Sequence, residues 1–132
     1  MLALFSRLLL HALACVVFPY LLALGFDLYR QHVGPPLARG VGVGLATMLV
    51  FYTFVFFNLL MVAIPRLAIR WALTGLLALL VLVYFNPHHP VRALGFTAVC
   101  VALCAAAILL TGPLTALLRV ALNRWRRAGR NL

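Results

Sequence analysis

The residues in this chain best equipped for chemistry are four histidines, three cysteines and a single carboxylate. Two histidines are adjacent in the stretch "FNPHHP", where Pro87 and Pro90 bracket His88 and His89. His32 and Asp27 fall in the other long interruption of the apolar sequence. Three imidazoles and a carboxylate would suit zinc or copper. Adjacent side chains in a five-residue loop diverge, however, and Asn-Pro and His-Pro are turn dipeptides. The expectation is a short wet turn with uncommitted imidazoles and no assigned metal ligand. A response of these histidines to external pH would need a two-state element that the sequence does not show.

His11 is the one histidine inside an apolar run. Haem held between helices commonly takes two axial ligands, and no second intramembrane histidine exists. Met48 and Met61 are formal candidates but fit packing roles, so no cofactor is expected. Cys15, Cys100 and Cys104 all lie in apolar segments. Cys100 and Cys104 share a helix face with Cβ atoms about 5–6 Å apart. That is too far for a disulfide, so they read as small packing residues.

Catalytic sets are missing. With Asp27 as the sole acid, no pair of carboxylates can share general acid–base work. Ser6 is the sole serine and has no orienting acid. No Asp, Glu or Lys lies near the middle of an apolar run, which argues against proton-coupled export. The chain is expected not to be an enzyme.

The elements that position these residues follow from composition. The 132 residues suffice for one domain; 67% are hydrophobic and 9% charged, with a mean hydropathy of +1.16. A soluble domain of this size could not cover itself with so few polar side chains, so the expected solvent is lipid. Four runs approach bilayer length: 8–26, 40–64, 67–85 and 91–112. In lipid the backbone must satisfy its own hydrogen bonds, so each run is expected to be a helix. The Pro65–Arg66 connection is short enough to make the second and third helices an antiparallel hairpin. The expected fold is an all-α integral membrane protein, a four-transmembrane-helix up-down bundle. Pro19 predicts a kink in the first helix.

Gly112-Pro113 predicts a break, followed by a basic amphipathic C-terminal helix over 114–132. Leu114, Leu117, Leu118, Ala121 and Trp125 would form its apolar face on the inner leaflet. Arg119, Arg126, Arg127 and Arg130 fall largely opposite, and Arg124 adds to the basic tail.

Eleven arginines and no lysine give a net charge of +10. They cluster at the ends of apolar runs, a topology pattern that suits anionic lipid headgroups. No nucleic-acid-binding motif accompanies them, so nucleic acid is not an expected partner. Arg7, Arg66, Arg70 and the five tail arginines lie on one side, against Arg30, Arg39 and Arg92 on the other. The positive-inside rule places both termini in the cytoplasm. Trp71 near the inner face, and Tyr84 and Phe85 near the outer, would form aromatic belts. The Arg-only basic composition and short turns suggest a bacterial inner membrane. The run Leu8–Leu10, broken by His11, is too short for a signal h-region, so the first helix is expected to continue rather than be cleaved.

Packing surfaces remain. Gly40 and Gly44 form a GxxxG spacing with Thr47 a turn later, and the fourth helix offers Gly95, Cys100, Ala102, Cys104 and Ala105–Ala107. Small residues let a second helix approach closely. Phe51, Tyr52, Phe54, Phe56 and Phe57 encircle the second helix, with Asn58 as a candidate hydrogen-bonding anchor for a partner helix. The first functional expectation is a non-enzymatic protein that binds a partner within the bilayer, as an accessory or assembly subunit or as an immunity-type protein against a pore-forming toxin. The second is an oligomeric small carrier or flippase-like subunit for lipid-linked or hydrophobic substrates, with Arg66, Arg70 and Arg119 attracting phosphate headgroups. Self-association discriminates the two, because a carrier of this size needs several copies to enclose a path.

Overall fold

Pro65, near the middle of the chain, ends one helix and starts the next. In the computed structural model, which describes residues 1–33, 41–85 and 90–128, the turn between them is only 64–66. Four helices make up the described chain: α1 (Leu2–Val33), α2 (Val41–Ala63), α3 (Leu67–Phe85) and α4 (Pro90–Ala128). Pro90 opens α4, where its missing N–H costs nothing. Each helix contains a stretch long and apolar enough to cross a membrane.

Ring contacts and hydrogen bonds set the register. Phe18 of α1 stacks on Phe54 of α2 at 4.6 Å between centroids, and His11 lies level with Asn58. Phe85 of α3 stacks on Phe96 of α4 at 5.1 Å, and Phe26 of α1 meets the same ring edge-on at 5.9 Å. Ser6 near the start of α1 meets Thr115 in the second half of α4. Consecutive helices are in contact, and α4 also packs against α1. The contacts of α4 with α1 and α3 are the most extensive, while α1 and α3 stand diagonally across the interior.

The inward stripes show why these sequences pack this way. On α4 the buried positions are Ala93, Phe96, Cys100, Cys104, Ala107, Ile108, Thr111 and Thr115. Apart from the adjacent pair Ala107 and Ile108, steps of three and four keep them on one helix face, and small side chains in mid-stripe let α1 and α3 approach. On α3 the stripe is Arg70, Thr74, Leu77, Val81 and Phe85. The outward faces carry Leu13, Val16, Leu79, Leu109 and many other large apolar side chains.

Three sequence expectations change. α1 exceeds 8–26 at both ends, so Asp27–His32 are helical rather than loop. Instead of breaking at Gly112-Pro113, α4 continues through Pro113 to Ala128. Thr111 and Thr115 flank the proline and donate to the carbonyls of Ala107 and Thr111 at 2.6 and 2.7 Å. Phe85, expected at an aromatic belt, is buried against Phe96, because stacking there removes its whole ring face from the solvent.

Candidate functional site

The interior is divided by chemistry along its length. The end at which α1 finishes and α4 begins is closed by apolar rings, Phe26, Phe85 and Phe96. The opposite end, where α1 begins and α4 finishes, holds Ser6, His11, Asn58, Arg70, Thr74, Thr111 and Thr115, all buried.

Their hydrogen bonds form a chain across all four helices. Arg70 of α3 donates from Nη2 to Nε2 of His11 at 2.9 Å. Guanidinium groups only donate, so His11 Nε2 accepts and the imidazole proton sits on Nδ1. Nδ1–H then donates to Oδ1 of Asn58 at 2.6 Å. The Asn58 amide donates in turn to the Phe54 carbonyl at 2.8 Å, with Cys104 Sγ of α4 at 3.9 Å. This chain assigns both the His11 tautomer and the Asn58 orientation from one donor that has no alternative role. Thr74 donates to the Arg70 carbonyl at 3.0 Å and lies 3.9 Å from Met61 Sδ.

One turn nearer the helix ends, the hydroxyls of Ser6 and Thr115 are 2.6 Å apart. Thr115 gives its proton to the Thr111 carbonyl at 2.7 Å, so Ser6 donates to Thr115 in preference to its longer 3.1 Å bond to the Ala3 carbonyl. Arg7, half-buried on α1, is close enough for its charge to act on His11 and Arg70. The Nε–H groups of Arg7 and Arg70 are both buried and have no hydrogen-bond partner among the described residues.

The structure separates the residues singled out from sequence. Gly44 and Tyr52 face outward on α2, and Thr47 is half-buried. Gly40 lies outside the described residues. Asn58, expected to anchor a partner helix, is 1% exposed and spends its hydrogen bonds inside the chain. Arg66, Arg119 and Arg124 are exposed, whereas Arg70 is 3% exposed. The side chains of Arg126 and Arg127, and all of Arg130, lie outside the described residues. His32 is exposed and donates to the Leu28 carbonyl at 3.0 Å; His88 and His89 lie outside the described residues. Among the described residues no group of three or more His, Cys, Asp or Glu could hold a metal.

Sequence reasoning missed the Ser6–His11–Asn58–Arg70–Thr115 cluster. One signal was present. Asn58 and Arg70 lie at similar distances before and after the Pro65 turn, which places both at one depth of an antiparallel hairpin. The reach of Arg70 across the diagonal to His11 had no sequence signal.

Fold and site together define an all-helical protein with four helices able to span a membrane and a polar interior at one end. No protein-family model matches the chain, and no curated protein or solved structure is detectably similar to it.

Proposed function

We propose that this chain is an integral membrane protein, an up-down four-helix bundle of the bacterial inner membrane with cytoplasmic termini, that binds a partner protein within the bilayer and performs no catalysis. The observation that carries the reading is the outward face of α2. Gly44, Met48, Tyr52 and Phe56 lie exposed at helical spacing, and the rings of Tyr52 and Phe56 touch only their helix neighbours Phe51 and Phe57 among the described aromatic contacts. A Cβ added at Gly44 would meet nothing within 4 Å. A glycine in open space has no packing reason of its own, and small residues beside aromatic ones suit the close approach of a second helix. The hydrogen-bonded interior supports the same reading, because it ties the four helices into a frame able to present that face. Assembly subunit and immunity-type protein are two forms of this role, and both need only a complementary membrane surface.

The test is Gly44→Leu. The open space around Gly44 means the added side chain should leave the fold and insertion intact. In-membrane crosslinking and mild-detergent purification should recover a stoichiometric membrane protein with the wild type and lose it with the variant. An unchanged complex would remove the α2 face from the account. Recovery of self-crosslinked copies alone would favour the second reading, an oligomeric carrier or flippase-like subunit, which the buried arginine at the basic end supports.

A further inference from the structure

We infer that the polar end of the bundle is a binding site for a phosphate-bearing anion, gripped by the guanidinium groups of Arg7 and Arg70, with His11 holding Arg70 in position. The inference rests on the membrane reading above but needs neither the α2 partner nor a carrier oligomer.

The argument is one of charge. A buried cation is ordinarily paired with an anion, because an ion removed from water without one costs several kcal/mol. Arg70 is 3% exposed, and its described hydrogen bond goes to His11, which is neutral in this arrangement. Its Nε–H is buried with no hydrogen-bond partner among the described residues, and so is that of Arg7, one turn before His11 on α1. The sole acid in the sequence, Asp27, is exposed on α1 sixteen residues beyond His11, about 24 Å along the helix. No side-chain carboxylate among the described residues therefore neutralises the pair. A structural hydrogen-bond network would be served as well by a neutral donor at position 70, and arginine is the expensive choice at membrane depth.

The ligand class follows from geometry and place. A guanidinium presents a planar fork of donors that matches phosphate oxygens, and two forks can share one group. The site lies at the arginine-rich end, with exposed Arg66 one turn before Arg70 on the same side. Phosphate is the anion present at that depth in every phospholipid leaflet, so a headgroup entering past half-buried Arg7 would meet Arg70 from within. Free inorganic phosphate offers the same oxygens and is the competing source.

The experiment uses the full chain in nanodiscs of phosphatidylcholine doped with phosphatidylglycerol, read by native mass spectrometry of retained lipid. The wild type should retain phosphatidylglycerol in roughly tenfold preference over phosphatidylcholine, whose choline cation offsets the charge of the same phosphate. Arg70→Gln and Arg7→Gln should each abolish the preference, and Arg119→Gln, on the exposed face of α4, should keep it. Should Arg70→Gln fail to insert, the wild type alone decides through dephasing of ¹⁵N-arginine guanidinium signals by lipid ³¹P. A second arm uses phosphatidylcholine alone. Thermal stabilisation by inorganic phosphate over chloride at equal ionic strength, lost in Arg70→Gln, would assign the site to a soluble anion. Neither lipid preference nor phosphate stabilisation in inserted protein overturns the inference. Release of wild type by carbonate extraction would instead overturn the membrane reading, and the two failures are thus distinct.

Discussion

At the scale of single residues, the interior depends on His11. It receives a hydrogen bond from α3 and gives one to α2, so its loss strands two buried partners at once. An unsatisfied buried polar group costs about 1–3 kcal/mol. In a membrane the cost falls toward the low end, because the unfolded helices also find partners. We predict that His11→Leu and Asn58→Leu each lower unfolding stability in detergent by about 1–3 kcal/mol. The double variant should lose less than the sum by about 0.6–1.7 kcal/mol, since each single change already breaks the shared bond. Strict additivity in the double-mutant cycle would mean that the 2.6 Å contact carries no coupling.

At the scale of elements, α4 is the organising helix. Its 39 residues reach about 58 Å, against roughly 30 Å of hydrocarbon core. Thirteen residues follow Thr115, its last contact with Ser6, and Arg119 and Arg124 sit exposed on that extension. A continuous helix should carry its residues steadily out of the bilayer, whereas an interfacial helix would hold them at one depth. Nitroxide depth measurements at successive positions from 106 to 124 should therefore rise without a step at Pro113. A plateau beginning at Leu114 would restore the interfacial helix. The α2–α3 hairpin illustrates the reverse relation between sequence and element. Pro65 with the charged Arg66 beside it locates the turn, whereas Pro19 and Pro113 lie within helices, because proline ends a helix where the chain can also leave the apolar run.

At the scale of the whole molecule, the outer surface is largely apolar and one end of an otherwise apolar interior is polar. Large apolar side chains cover the outer surface while hydroxyl, amide, imidazole and guanidinium groups lie within. Water would penalise that arrangement, and lipid rewards it. The polar end is also the arginine-rich end, so topology and site are linked. Both termini should lie in the cytoplasm, and the polar interior should open toward the inner leaflet. A C-terminal green fluorescent protein fusion should fluoresce and a C-terminal alkaline phosphatase fusion should be inactive. The opposite pair of results would place the site at the outer leaflet.

Much of the element plan was legible in the chain. Run lengths, Pro65 and the scarcity of charge dictate four apolar helices, because hydrogen-bond satisfaction in lipid leaves the backbone little choice. Helix ends were less legible at Asp27–His32 and at Pro113. Local residue preferences there compete with contacts such as Ser6–Thr115 that only the folded chain makes. Uniform hydrophobicity also conceals which face of each helix turns inward, since lipid and core accept the same side chains. The tertiary structure alone decided that Asn58 looks inward while Gly44 and Tyr52 look outward, and that Arg70 crosses the interior to His11. Those outcomes depend on the rotation of four helices about their axes, which is set by packing and by the few polar groups that must find each other away from water.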